Sequence, residues 1–159
     1  MTEITTRRVN DRELELTALL DATPAKVFAA WTDPDLMVQW FTPAPWKTLR
    51  AENDLRAGGA NLVVMADPDG NEYPNRGVYL EVVPNEKLVF TDAFTGAWEL
   101  SEKPFFTGVL TFTKQGDKTL YHARALHWTK EACDDHEKMG FHDGWKAATL
   151  QLVELLKRI

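Results

Sequence analysis

Two aromatic clusters are the residues best suited to form a binding site in this chain. The first reads W-F-T-P-A-P-W at 40–46, and the second reads M-G-F-H-D-G-W at 139–145. In each cluster, large rings stand beside small, polar or turn-forming residues. This composition favours the wall of a cavity over a filled core, because aromatic side chains in irregular segments face a site more often than those inside strands. Phe28, Phe90 and Phe112 lie within regular patterns, which predicts that they pack in the core.

The four histidines lack the spacing of metal ligands. On one helix, His136 and His142 would point about 120° apart, so they could not chelate one ion. His122 and His127 differ by five positions, which places them on opposite faces of a strand. We therefore expect no metal site. His142 alone is more typical of a buried or boundary residue than of a catalyst. His142 and Trp145 are three residues apart on the predicted helix, so their side chains point about 60° apart and can border the same space.

Other chemistry-bearing side chains give weaker indications. Asp92 and Glu99 lie near predicted wall segments, and either has the chemistry of a general base, but a one-residue shift in strand register would turn them outward. Cys133 has no adjacent histidine motif, which argues against a nucleophile. A single cysteine excludes an internal disulfide and favours a reducing compartment, here the cytoplasm. Because no phosphate-cradling glycine loop or dinucleotide fingerprint is present, we expect no cofactor.

The elements that must position these residues follow an α+β order. Alternating apolar and polar residues at 13–20 predict a half-buried strand. Thr23-Pro24 and Asp33-Pro34 each supply a helix cap followed by proline, which predicts two short helices. An apolar stripe at helical spacing predicts one long helix from Thr129 to the end. A longer loop is expected at 95–106, between two strands. Turn residues separate six strands between these helices, at about 47–55, 60–66, 77–83, 88–94, 107–114 and 118–128.

Length and charge limit the class of protein. The 159 residues predict a single domain over 10–159, preceded by a polar and flexible N-terminus at 1–9. A formal net charge of -6 argues against a nucleic-acid surface, which usually carries a basic patch. Because no long apolar run occurs, no membrane insertion is expected.

Three separated motifs resemble a known family. They are W-F-T-P-A-P-W, G-V-Y-L-E-V-V-P-N-E-K-L-V-F at 77–90 and H-E-K-M-G-F-H-D-G-W at 136–145. In this order they are similar to the stand-alone bacterial homologues of the heat-shock-chaperone ATPase activator, within the START-related, polyketide-cyclase-like (SRPBCC) superfamily. The resemblance covers residues 10–158. It implies a helix-grip fold, in which an antiparallel sheet wraps around a long C-terminal helix and encloses an elongated cavity.

The resemblance also implies which side chains border that cavity. The expected ligand-binding residues are those that fall where the superfamily has its cavity mouth, the facing loop and the near side of the last helix: Trp31, Trp40, Phe41, Trp46, Trp98, Phe106, Met139, His142 and Trp145. Phe105 falls in the same facing loop. The chain has a W-F pair at 40–41 where close relatives often have W-W, a change that affects the shape of the cavity.

Three functions remain open at this point. The first is binding of a small apolar or aromatic molecule, with His142 and Asp92 as candidates to orient it. The second is a cyclase-, aromatase- or hydrolase-like enzyme that uses the same cavity and one of those groups as acid or base. The third is a stress-response protein that contacts a chaperone, as the family name implies. The fold does not choose among these functions, and the sequence does not identify the ligand.

Overall fold

The chain forms ten strands and four helices within residues 2–159, the part that this computed structural model describes. The elements, in chain order, are β1 (Ile4–Asn10), β2 (Glu13–Leu20), α1 (Pro24–Thr32), α2 (Pro34–Met37), β3 (Lys47–Asn53), β4 (Ala60–Ala66), β5 (Glu72–Val83), β6 (Lys87–Thr91), β7 (Phe94–Gly96), β8 (Glu99–Leu100), β9 (Thr107–Gln115), β10 (Lys118–Leu126), α3 (Lys130–Lys138) and α4 (Phe141–Leu156). Within those residues, no helix is both long and apolar enough to cross a membrane.

Eight of the strands form one antiparallel sheet in the order β1-β2-β10-β9-β6-β5-β4-β3. Helix α4 packs against β1, β2 and α1, so the C-terminal helix covers one face of the sheet. The predicted α+β helix-grip fold is therefore confirmed. The predicted strand alternation in β2 is confirmed as well, because Leu14, Leu16 and Leu20 are fully buried. Burying each such side chain contributes about 1.5–3 kcal/mol to folding.

The N-terminal segment differs from the prediction for residues 1–9. Residues 4–10 form strand β1, which pairs in antiparallel register with β2 from Ile4↔Ala18 onward; residue 1 lies outside the described residues. The polar composition that indicated a flexible segment is that of an edge strand, whose outward side chains remain in water. Arg8 fixes this edge to helix α3, since its guanidinium donates to Asp134 at 2.7 Å and to Glu137 at 3.0 Å.

The single long helix predicted from Thr129 is instead two helices. Thr129 caps α3 as predicted, because its hydroxyl accepts a hydrogen bond from Ala132 N–H at 3.0 Å. The chain then breaks at Gly140, whose φ of 103° lies in the left-handed region that glycine adopts without a steric penalty. Because of this break, α3 and α4 are separate helices, and residues of both line the same interior space.

The region at 95–106 is more ordered than the loop predicted there. Strands β7 and β8 pair as a short hairpin between β6 and β9. The stretch that follows is held to the sheet by Asp92, whose carboxylate accepts hydrogen bonds from the N–H groups of Phe105 at 2.8 and 2.9 Å and of Phe106 at 3.1 Å. Burial nevertheless raises the pKa of Asp92, against the opposing effect of these hydrogen bonds. This aspartate therefore fixes two aromatic residues over the interior.

Candidate functional site

A cavity of about 430 Å³ lies between the inner face of the sheet and the helices. Protein interiors are packed like organic crystals, and few of their voids exceed the size of a water molecule. A space this large is therefore a feature to explain. It is roughly three times the ~150 Å³ of an engineered protein cavity that accommodates benzene. Its wall is mainly apolar, with aromatic rings contributed by Trp31, Trp40, Phe41, Phe90, Phe105, Phe106, Phe141 and Trp145.

Hydrogen bonds hold the two indoles at one end of this wall. Trp31 Nε1–H donates to the hydroxyl of Tyr121 at 3.0 Å, and Trp40 Nε1–H donates to the carbonyl of Ala30 at 2.9 Å. The two rings meet edge to face with centroids 5.0 Å apart, an arrangement that aromatic quadrupoles favour. Because both N–H groups are satisfied by the protein, the indoles present only carbon surface to the cavity.

The irregular segment at 40–46 stays over the cavity because α4 holds it. Gln151 Nε2–H donates to the carbonyls of Trp40 at 2.7 Å and Thr42 at 2.8 Å, while its Oε1 accepts from Ala44 N–H at 2.9 Å. The Gln151 side chain thus satisfies three backbone groups of a segment that forms no hydrogen-bonded strand pairing. The bulky W-F pair is kept in place by the C-terminal helix.

Phe90 is held flat against the sheet by a glycine. Phe90 and Gly108 are directly opposite on β6 and β9. A Cβ at position 108 would lie 2.4–2.9 Å from three atoms of the Phe90 ring, closer than carbon atoms approach without displacement. The predicted core position of Phe90 is therefore only partly correct, since one side of the ring covers Gly108 and the residue also lines the cavity. Phe28 and Phe112 do pack in the core, edge to face at 5.8 Å.

We expect Gly108→Ala to lift the Phe90 ring into the cavity. The added methyl group should destabilise the protein by about 1–3 kcal/mol, as overpacking commonly does. Thermal unfolding measures this loss, and a crystal structure of the variant locates the ring. Gly108→Ala combined with Phe90→Leu should recover part of the stability, because the clash partner is shortened. Equal destabilisation in the single and double variants would contradict the steric explanation.

Polar side chains gather where β3, β4 and β5 meet the cavity. Asn53 and Asn61 are cross-strand neighbours. Asn53 Nδ2–H donates to the Thr32 carbonyl at 2.7 Å and to the Tyr79 hydroxyl at 3.2 Å. Asn61 differs, since its Nδ2 is buried and has no hydrogen-bond partner in the described chain. Such a donor costs about 1–3 kcal/mol when left unpaired, so its position beside the cavity requires a reason.

A second polar group lies at the opposite side, where α3 approaches the cavity. His127, just after β10, contacts the Arg12 carbonyl through Nδ1 at 3.0 Å, and its Nε2 lies 2.9 Å from Nδ1 of His136. Both residues are buried, and His136 lines the cavity. Burial, and secondarily a charge on His127, lower the pKa of His136 to about 3. Burial also lowers the pKa of His127, so the neutral pair is favoured.

The structure brings most of the expected ligand-binding residues together. Those that line the cavity are Trp31, Trp40, Phe41, Phe106, Met139 and Trp145. Met139 lies at the mouth, because its side chain is largely exposed. Ligand contact by these residues stays a prediction.

Three expected residues lie elsewhere. Trp46 is partly exposed and stacks on Tyr73 with ring centroids 5.1 Å apart, away from the cavity. Trp98 occupies the turn of the β7–β8 hairpin and is 90% exposed. His142 faces strand β1, where its ring nitrogens lie 2.8 Å from Thr6 Oγ1 and 2.8 Å from a carboxylate oxygen of Glu137. The helical spacing of 142 and 145 was sound, but the unexpected strand β1 occupies the side that His142 faces.

Of the polar residues beside the cavity, the sequence indicated Asp92, which lies in the wall, but not His136 or Asn61. His136 was considered only as a metal ligand, and its partner His127 comes from another element, which helical spacing does not reveal. Asn61 is a polar residue in an otherwise apolar strand, and this pattern was the signal in the sequence that could have identified it. Gly144 was a second such signal in the sequence, because an isolated glycine within a helical pattern costs up to about 1 kcal/mol relative to alanine. Over residues 2–159, no group of three or more His, Cys, Asp or Glu side chains is placed to hold a metal ion.

The sequence matches a known family over most of its length. A family model described as "Activator of Hsp90 ATPase homolog 1-like protein" matches residues 21–157. No curated protein matches the chain. A crystal structure of a protein from Nitrosomonas europaea is 36% identical, with a TM-score of 0.90, and the match covers 93% of this chain and 96% of that one.

Other solved structures are similar in fold alone. A protein from Rhodobacter sphaeroides has a TM-score of 0.85 at 19% identity, with 99% of this chain and 100% of that chain covered. A protein from Mycobacterium smegmatis has a TM-score of 0.81 at 24% identity, with 97% of each chain covered. The element order thus belongs to a fold that many sequences adopt.

Proposed function

Since this chain belongs to the Activator of Hsp90 ATPase homolog 1-like family, whose fold is of a ligand-binding type, we propose that it binds a small aromatic molecule in the cavity between sheet and helices. The observation that carries this proposal is the unfilled space of about 430 Å³, with its mainly apolar wall that includes many aromatic rings. Pockets for small molecules are commonly about 300–1,000 Å³ and mostly apolar, with a few polar groups that fix orientation.

Gly144 gives independent support. It lies within α4 and lines the cavity, yet a Cβ built there would meet nothing within 4 Å. No neighbouring atom therefore requires glycine at this position, and its φ is an ordinary helical one that alanine adopts readily. The chain nevertheless carries the residue that weakens a helix interior. A requirement to keep this part of the cavity open accounts for the glycine.

Asn61 indicates how the molecule is oriented. Its unpaired Nδ2 is a hydrogen-bond donor at the β3–β5 side of the cavity, where Asn53 is already fully engaged by Thr32 and Tyr79. Because this nitrogen is enclosed by protein atoms, a ligand oxygen or ring nitrogen would satisfy it only after the amide turns toward the cavity. The unpaired group, unfavourable in the free protein, then favours the bound state. The cytoplasm is the compartment that we propose for this binding.

Filling the cavity from Gly144 tests the proposal without removing core contacts. Gly144→Leu should lower the affinity for naphthalene or 2-naphthol at least tenfold, because the new side chain occupies the ligand's space. Gly144→Ala should keep most of the affinity and should raise the free energy of unfolding by about 0.5–1 kcal/mol through helix propensity. Isothermal titration calorimetry and thermal unfolding measure the two effects.

Lys146→Leu is the matched control, because it adds the same side chain at an exposed position of the same helix. It should bind both probes like the wild-type protein. If neither probe binds the wild type, the proposed function is wrong. If Gly144→Leu binds them unchanged, the molecule is held somewhere other than this cavity.

A further inference from the structure

The His127–His136 pair has only one arrangement of protons when both rings are neutral. The Arg12 carbonyl can only accept, so Nδ1 of His127 carries the proton that it donates at 3.0 Å. The Nε2 atom of the same ring is then bare and accepts. His136 Nδ1, 2.9 Å away, must therefore carry a proton and donate it. The remaining nitrogen, His136 Nε2, is left with a free lone pair.

That lone pair is available to a molecule in the cavity. In the described chain, His136 makes no hydrogen bond other than the one with His127. Among residues 2–159, the only buried side-chain nitrogen or oxygen without a partner is Asn61 Nδ2, so His136 Nε2 is not sealed off by protein atoms. His136 is only 6% exposed and lines the cavity, so the cavity is the space that Nε2 reaches.

The surroundings of His136 define what would bind there. Its ring centroid lies 4.6 Å from that of Phe105, 5.1 Å from Phe106, 5.3 Å from Phe141 and 5.9 Å from Trp145. A partner for Nε2 must therefore enter among aromatic rings, which favour a flat, apolar molecule. An O–H or N–H attached directly to an aromatic ring meets both requirements.

We propose that His136 Nε2 is a preset hydrogen-bond acceptor that selects aromatic ligands bearing a hydroxyl or ring N–H donor. The inference rests on the proposed function, because it assumes that the ligand occupies this cavity. The Arg12 carbonyl and His127 act as positioning groups, since they fix which nitrogen of His136 is bare. Sites built to hydrogen-bond a substrate group reject analogues that lack it more strongly than apolar pockets reject differences in size.

A matched set of probes at pH 8 tests the selection, at a pH well above the ordinary pKa of a histidine side chain. 2-Naphthol keeps its donor, 2-methoxynaphthalene has it capped by a methyl group, and naphthalene has no oxygen. We expect 2-naphthol to bind the wild-type protein about fivefold or more tightly than the other two, the effect of one neutral hydrogen bond. His136→Phe should remove this preference, so that the variant binds all three probes with about equal affinity. His142→Gln, a histidine replacement away from the cavity, should retain it.

The outcomes separate the two proposals. Equal affinity of all three probes for the wild type would overturn the selection by His136 and leave the proposed function intact. Binding of none would overturn both. Because His136→Phe can fail to fold, nitrogen-15 NMR of the wild-type imidazoles gives a test without a variant. We expect a bare Nε2 on His136 whose resonance shifts with 2-naphthol only. A protonated Nε2 in the free protein would also overturn the inference.

Discussion

Replacing Trp31 with alanine is expected to lower the free energy of unfolding by about 3–5 kcal/mol, the largest effect of any cavity-wall substitution considered for this chain. Trp31 is buried and contacts both Trp40 and Phe41 edge to face, at 5.0 and 5.6 Å between ring centroids. Its loss also leaves the hydroxyl of Tyr121 without the N–H that it accepts at 3.0 Å. For a chain of this length, the melting temperature should fall by roughly 6–20 °C.

Two further variants separate the causes of this loss. Trp31→Phe keeps a six-membered ring but removes the N–H and part of the fused ring system, so it should cost less than the alanine substitution. Trp98→Ala removes the same side chain from a position that is 90% exposed, and it should change stability by no more than about 0.5 kcal/mol. Calorimetric or chemical unfolding measures all three. A Trp31→Ala loss as small as that of Trp98→Ala would show that the indole does not support the wall.

Acid is expected to destabilise the protein earlier than its carboxylates alone would. In the unfolded chain His136 has its ordinary pKa of 6.5, whereas in the folded protein burial lowers that pKa to about 3. Below pH 6.5 the unfolded state therefore binds a proton that the folded state does not. The stability that the neutral His136 contributes is fully present above pH 6.5, decreases as the pH falls below 6.5, and is fully lost near pH 3. For His136 alone, the loss between pH 8 and pH 5 is about 2 kcal/mol.

The window from pH 6.5 to pH 5 isolates the histidines. Salt bridges and hydrogen bonds lower the pKa of Asp134 and Glu137, but these carboxylates ordinarily titrate near 3.8 and 4.5, so their losses come at lower pH. Urea unfolding at a series of pH values gives the slope. His136→Phe should lose about 2 kcal/mol less than the wild type between pH 8 and pH 5. Parallel pH profiles for the two proteins would refute the neutral buried pair.

Local sequence patterns determined the architecture and much of the cavity wall. Proline at the first helical position sets the starts of α1 and α2, although only Asp33, and not Thr23, makes a side-chain capping hydrogen bond. Period-two burial sets strands such as β2. Both signals depend on backbone geometry within a few residues. The aromatic segment at 40–46 contributes Trp40 and Phe41 to the cavity wall, whereas Trp46 of the same segment stacks on Tyr73 away from it. Chain order and motif resemblance together indicated the helix-grip fold.

The tertiary structure decided which polar side chains face the cavity. His127 follows β10 and His136 lies on α3, so their pairing depends on how the chain turns between that strand and that helix. His142 was predicted for the cavity on sound helical spacing, but strand β1 captures it through Thr6, and a polar edge strand resembles a frayed terminus in sequence. Local spacing fixes the angle between two side chains on one helix; the neighbours that each one meets are fixed only when distant segments pack together.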